Sequence, residues 1–219
     1  MVKLTNMSIR ELFEFDKSYN VPIIGTDEAG RGPAAGGVYA AAVHFDKITE
    51  GLMKDLEILN DSKKLSSKKR ESIYDCIKNN TLNKIVCIEV DEIEKINILN
   101  ASLKAMNIAC SSIIETNNSL VLVDGNKLIK NFNYPQKYIV KGDSKSASIA
   151  AASILAKVTR DRYMLKLHEE YPMYNWAKNA GYLTKEHIEA IDKYGLTKYH
   201  RPSFLRKHFE QAKQLAFAF

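Results

Sequence analysis

The chain reads as an α/β protein, because short apolar runs alternate with segments of helical spacing along most of its length. No internal repeat, low-complexity tract or Pro/Gly-rich linker interrupts that alternation. With 219 residues and 45% hydrophobic content, the chain can bury one sizeable core plus a small appendage, and it is short for two independent domains.

The elements follow in order. Residues 8 to 19 predict a lead-in helix. Val21 to Thr26 and Gly37 to Phe45 predict strands flanking a glycine-rich turn at 30 to 37. Ser66 to Lys78 predicts a helix, Lys84 to Val90 a strand, Leu99 to Glu115 a helix and Leu120 to Val123 a short apolar strand closed by Asp124-Gly125. Tyr138 to Lys141 predicts a further strand, and the Ala-, Ile- and Leu-rich run from Ser144 to Leu167 a long helix packed on the sheet. Past Tyr171, with Pro172 as breaker, the chain turns aromatic and basic and predicts a small helical extension. The division is a core over 1 to 170, with 1 to 20 as lead-in, and an extension over 171 to 219 within the same unit.

Lys and Arg outnumber Asp and Glu by 32 to 26, a formal charge of +6, which favours a polyanionic partner. Cys76, Cys87 and Cys110 have no paired spacing and lie in apolar stretches, so buried reduced thiols are expected rather than a disulfide or zinc site. No apolar run approaches the ~20 residues of a membrane span, and the first residues lack the order of a signal peptide. A cytoplasmic, non-membrane protein is the expectation, with monomer as the default.

Asp27-Glu28 follows one apolar strand, Asp124 another, and Asp143 stands beyond a third, ahead of the long helix. Strand ends are where open α/β sheets present ligands. If these strands are neighbours, four carboxylates meet, and hard cations such as Mg²⁺ must neutralise their repulsion. Taken singly, each reads more readily as a turn or helix cap.

The stretch Gly25-Thr26-Asp27-Glu28-Ala29-Gly30-Arg31-Gly32-Pro33 resembles the signature of the ribonuclease HII family. Further likenesses follow in the family's order at Asp61 to Leu65, Val123-Asp124-Gly125, Lys141 to Ser144 and Ala151 to Asp161, so the resemblance runs from about Ile23 to Phe204. It implies the ribonuclease H fold, a mixed sheet flanked by helices with a small C-terminal helical extension. It also implies that Asp27, Glu28, Asp124 and Asp143 are catalytic ligands of two divalent ions, Mg²⁺ or Mn²⁺, with Asp27 shared between them. The implied activity is hydrolysis of the RNA strand of RNA/DNA hybrids, and cutting 5′ of ribonucleotides embedded in duplex DNA, to give 3′-hydroxyl and 5′-phosphate ends. The backbone of Gly30-Arg31-Gly32 would approach the 2′-hydroxyl, the group that separates ribose from deoxyribose. A tyrosine of the C-terminal region, here Tyr182, would lie against the ribonucleotide. There the chain departs from the family's Lys-Gly-Tyr-Gly-Thr: it reads Ala180-Gly181-Tyr182-Leu183-Thr184. Alternative readings are a plain tight turn for 30 to 32 and a packing aromatic for Tyr182.

Lys63 and Lys64, within a family-like segment, are candidate substrate contacts to phosphate. Lys68, Lys69 and Arg70 read equally as a solvated helix face. His200, Arg201 and Ser203 are candidate backbone or packing contacts, while His44, His168, His187 and His208 lack mutual metal-ligand spacing and read as structural. Residues 214 to 219, with three large apolar groups, resemble peptides that dock on replication sliding clamps, or else fold back on the core. Three rivals remain: a ribonuclease HIII-like enzyme, disfavoured by the short stretch before Ile23, a non-catalytic duplex-binding module, and another nuclease of the same fold.

Overall fold

A computed structural model describes residues 7–59, 65–115, 118–206 and 208–210. Lys63 and Lys64, and the apolar tail at 214 to 219, lie outside the described residues.

The sheet has five strands: β1 (Ile23–Ala29), β2 (Val38–His44), β3 (Leu82–Ile88), β4 (Leu120–Asp124) and β5 (Gln136–Ile139), in the order β3-β2-β1-β4-β5. β1, β2 and β3 pair antiparallel, while β4 and β5 extend the sheet in parallel from β1. It is thus a mixed sheet flanked by helices, as expected.

Helices cover both faces, which is why β2 reads as an unbroken apolar run. Ala41 and Val43 face one core with α1 (Ile9–Lys17), α3 (Ser67–Asn80) and α6 (Ala147–Glu170). Ala40 and Ala42 face the other, with α5 (Ile98–Ser111). At Gly25 in β1 a Cβ would lie 2.2 Å from backbone atoms of Ser148 and Ile149. This strand and α6 therefore touch backbone to backbone, and only glycine fits. Asp16 at the end of α1 accepts the Ser148 N–H at 2.9 Å, so a carboxylate from the lead-in helix caps α6 beside its own N-cap, Ser146. Burial pushes the Asp16 carboxyl above its usual range, partly offset by those serine and backbone bonds.

The segment beyond α6 continues through a 3₁₀ turn (Pro172–Tyr174), α7 (Trp176–Asn179) and α8 (Lys185–Tyr194). Tyr174, Trp176, Ile191 and Leu205 form an apolar cluster with Ala34 and Ala35 of the glycine-rich loop and Met164 and Leu167 of α6. It thus packs directly on the loop that follows Asp27-Glu28.

Several expectations need correction. Asp27 and Glu28 lie inside β1 rather than after it, because pairing with β2 continues to Ala29↔Tyr39. The long helix starts at Ala147, preceded by a 3₁₀ turn at Gly142–Ser144. The fifth predicted strand, expected over Tyr138 to Lys141, spans Gln136–Ile139, and Lys141 beyond it adopts a left-handed conformation. Two short helices, α2 (Glu50–Asp55) and α4 (Val90–Ile96), were not anticipated. All three cysteines are free, but Cys76 and Cys87 are only half-buried; burial raises all three thiols, Cys87 and Cys110 to about 12. Among the described residues no helix is long and apolar enough to cross a membrane.

Candidate active site

The carboxylates gather because β1 and β4 are parallel neighbours in register, with Thr26 beside Val123. The next residue along each strand is Asp27 on one and Asp124 on the other. Asp124 Oδ1 accepts the N–H of Gly142 at 2.7 Å, which ties the 3₁₀ turn carrying Asp143 to the end of β4. Gly142 is needed there: a Cβ would lie 2.5 Å from Ile149 Cδ1 and 3.1 Å from Asp124 Oδ1.

Asp27 is 3% exposed and Asp143 4%. Burial, then the charges of Glu28 and Asp124, hold the Asp27 carboxyl well above the usual carboxylate range. A hydroxyl from Ser153 of α6 and the Glu28 N–H, at 2.7 Å from Asp27 Oδ1, work in the opposite direction. Glu28 is paired with Arg31, 3.1 Å away.

The donors are all carboxylate oxygens, the set that suits a hard divalent cation, and repulsion at Asp27 is what such a cation would relieve. Among the described residues no three acidic, histidine or cysteine side chains are preassembled around one point. One oxygen each of Asp27, Glu28 and Asp124 is held by protein donors. The residues fit such an ion in the chemistry of their donors.

Immediately after β1, the loop of Gly30, Arg31 and Gly32 runs under Tyr182. A Cβ on Gly32 would stand 3.1 Å from Tyr182 Cε1. Tyr182 is 52% exposed. Ala34 N–H donates to the Gly181 carbonyl at 2.9 Å, joining loop and tyrosine turn. A buried acidic centre therefore borders an exposed aromatic and a glycine backbone.

The comparisons agree. The family model for ribonuclease HII matches residues 24–212. A ribonuclease HII of Rickettsia akari is 50% identical over 197 residues, 89% of this chain and 97% of that one. One from Fusobacterium nucleatum is 50% identical over 207 residues, covering 93% and 94%. The chain belongs to the ribonuclease HII family. It is accordingly a nuclease of the ribonuclease H class, acting on RNA/DNA. Among solved structures, the ribonuclease H2 of Pyrococcus horikoshii matches with a TM-score of 0.67 at 25% identity, over 87% of this chain and 98% of that one. The RNase HII of a PCNA:RNase HII complex from Archaeoglobus fulgidus (TM-score 0.65, 22%, covering 83% and 94%) and Bst-RNase HIII in complex with Mn²⁺ (0.68, 16%, 94% and 73%) share the fold.

Within this family member, two buried arginines organise the loop. Arg160 of α6 is 1% exposed and donates to the carbonyls of Ala35 (3.0 Å), Ala180 (3.1 Å) and Gly37 (3.4 Å). Arg201 is fully buried and donates to Gly36 and Pro33, each at 2.8 Å, and to Arg31 at 3.5 Å. Burial lowers both guanidinium pKa values, Arg201 to about 9. Of the two roles offered for Arg201, phosphate contact is therefore excluded and packing holds; His200, 1% exposed, is likewise internal, and Ser203 bonds Glu94. At Ala180 it is the backbone carbonyl that accepts from Arg160.

Lys68 and Lys69 are exposed, whereas Arg70 is half-buried, donates to the Leu65 carbonyl at 2.5 Å and lies 3.6 Å from Asp161. Ser153 could have been found from sequence: two turns into the long helix, it lies inside the family-like segment. Apart from Ala180, the acceptors of Arg160 and Arg201 lie 123 to 170 residues away in sequence, beyond any local pattern.

Proposed function

We propose that the chain hydrolyses the RNA strand of RNA/DNA hybrids and cuts 5′ of ribonucleotides embedded in duplex DNA, leaving 3′-hydroxyl and 5′-phosphate ends. The observation that carries this reading is the adjacency of two things: the carboxylates beside buried Asp27, and the Gly30–Gly32 backbone beneath an exposed Tyr182. A non-catalytic duplex binder gains nothing from a buried acidic centre that repels phosphate.

In this reading Asp27, Glu28, Asp124 and Asp143 hold two divalent ions, Mg²⁺ or Mn²⁺; the Mn²⁺ of the Bst-RNase HIII structure supports that ion class. Such ions, when bound, lower the pKa of an attacking water and stabilise the departing oxygen. The protein's own groups do the rest. Asp27 sits between Glu28 and Asp124, oriented by the Ser153 hydroxyl and the Glu28 N–H. Arg160 and Arg201 draw loop carbonyls inward and fix the backbone of 30 to 37 beside the carboxylates. That backbone reads the 2′-hydroxyl and Tyr182 lies against the sugar. Lys63 and Lys64, with exposed Lys68 and Lys69, supply phosphate contacts without sequence preference. The tail at 214 to 219 docks on a sliding clamp, a partner class supported by the archaeal PCNA complex.

The test is cleavage of a labelled RNA/DNA hybrid with Mg²⁺ or Mn²⁺ by the wild type and by Asp27→Asn. We expect the variant to lose roughly a hundredfold or more in rate while its affinity for the hybrid stays within about threefold. Turnover by Asp27→Asn near the wild-type rate would overturn the metal-ligand assignment.

A further inference from the structure

Two buried imidazoles stand beside the Tyr182 turn. His187 Nδ1 lies 3.0 Å from the Tyr182 carbonyl oxygen, and His187 Nε2 lies 3.1 Å from His200 Nε2. Trp176 Nε1 donates to His187 Nε2 at 3.0 Å, and the Thr197 backbone N–H donates to His200 Nδ1 at 2.9 Å.

Indole and backbone N–H groups can only donate, so they fix the proton positions on both rings. His187 Nε2 must accept, which leaves its proton on Nδ1, directed at the Tyr182 carbonyl. His200 Nδ1 must accept, which leaves its proton on Nε2, directed at His187 Nε2, where it shares the single lone pair with the Trp176 N–H. The bonds run one way: Thr197 to His200 to His187 to Tyr182. A second proton on either ring would set N–H against N–H. Burial lowers both imidazole pKa values, and the neighbouring His187 adds to the effect at His200, which falls to about 4.

The same bonds close a circuit around the ribose-reading elements. His200 forms a β-bridge with Ala35, and Gly36 N–H donates to the Tyr199 carbonyl at 2.8 Å. At the other end Tyr182 N–H donates to Asn179 and the Gly181 carbonyl accepts from Ala34, each at 2.9 Å. Glycine loop and tyrosine turn are thus linked directly, through Arg160, and through the two imidazoles.

We propose that His187 and His200 form a neutral relay of opposite, fixed tautomers that positions Tyr182 over Gly32 and so sets how well the enzyme recognises a lone ribonucleotide. The inference rests on the reading of Tyr182 given above. Both histidines are positioning residues, since neither faces the substrate.

Two measurements on the full chain test it. Two-bond ¹⁵N–¹H correlation spectra at neutral pH, assigned among the five histidines by single variants, should show His187 protonated on Nδ1 and His200 on Nε2. The same tautomer on both rings, or averaged signals, would overturn the relay. Kinetics on a duplex with one embedded ribonucleotide and on a long RNA/DNA hybrid then compare His187→Ala, His187→Asn and Tyr182→Ala, with each melting temperature recorded. An asparagine amide can still donate where Nδ1 did. His187→Ala should therefore lose about tenfold in kcat/KM on the lone ribonucleotide, more than on the hybrid, and His187→Asn should recover most of it. Equal losses in both His187 variants, tracking their melting temperatures, would reduce the role to stability and overturn the proposal. An impaired Tyr182→Ala beside an unaffected His187→Ala would overturn it too. If instead Tyr182→Ala cleaves the lone ribonucleotide normally, it is the reading of Tyr182 that fails, and the tautomer pattern still decides whether the relay exists.

Discussion

Substituting alanine at Gly30 tests the packing of the glycine loop quantitatively. Gly30 has φ +99°, where a residue bearing Cβ costs about 1–2 kcal/mol. Its Cβ would stand 2.2 Å from Arg160 Nε and 2.6 Å from Arg160 Cδ, distances at which the side chain must leave. Arg160 would forfeit its two well-formed bonds, to Ala35 and Ala180, and charged donors are worth about 1.5–3 kcal/mol each. Gly30→Ala should therefore destabilise the fold by about 4–8 kcal/mol. In a chain of this size that lowers the melting temperature by roughly 8–32 °C. Urea unfolding followed by circular dichroism measures it, and a double-mutant cycle with Arg160→Ala isolates the clash. With Arg160 shortened, Gly30→Ala should cost only its backbone share of about 1–2 kcal/mol, leaving a coupling of about 3–6 kcal/mol. Additive effects of the two substitutions would refute the contact.

Three further outcomes follow from the same geometry. Asp27 titrates higher in the folded chain than unfolded, so the stability it contributes is full below the unfolded pKa and is lost as pH rises through the folded one. In metal-free buffer Asp27→Asn should be more stable than the wild type at pH 8, with the gap closing toward pH 4; a less stable variant at pH 8 would contradict the buried, repelled carboxylate. Mg²⁺ at about 100 times its Kd should stabilise the wild type by about 2.7 kcal/mol, or roughly 5–11 °C, and Asp27→Asn markedly less; equal shifts in differential scanning fluorimetry would place the ion elsewhere. Gly32 lacks a left-handed φ, so Gly32→Ala should cost under about 1 kcal/mol, yet its Cβ, 3.1 Å from Tyr182, must displace the ring. The preference for a ribonucleotide over a deoxynucleotide duplex should fall while melting holds, and an unchanged preference would separate Tyr182 from recognition.

The sheet and its main helices were legible because burial on both faces leaves apolar runs such as 120 to 123 and an Ala-rich helix such as 147 to 170. The limits of β1 were not, because its end is set by pairing with Tyr39 rather than by its own apolar run. Helix α4 was hidden by its acidic residues, Asp91, Glu92 and Glu94, which mask the buried Val90 and Ile93. The four carboxylates could be named from sequence, but that Asp27 and Asp124 follow paired residues on adjacent strands depends on strand order. For Arg201 and His200 the sequence left packing and phosphate contact open, and for Arg160 it offered no role, because basic residues near a nuclease site suggest phosphate, whereas these three are buried and spend their bonds inside the protein.

The central claim, a metal-loaded carboxylate site joined to a ribose reader, is tested most directly by mapping cuts in labelled duplex DNA carrying one ribonucleotide, with Mg²⁺ and with Mn²⁺, beside an all-DNA duplex. The account predicts a single incision on the 5′ side of the ribonucleotide, with a 3′-hydroxyl end and the all-DNA duplex intact. Incision of the all-DNA duplex, or none at the ribonucleotide with either ion, would contradict it.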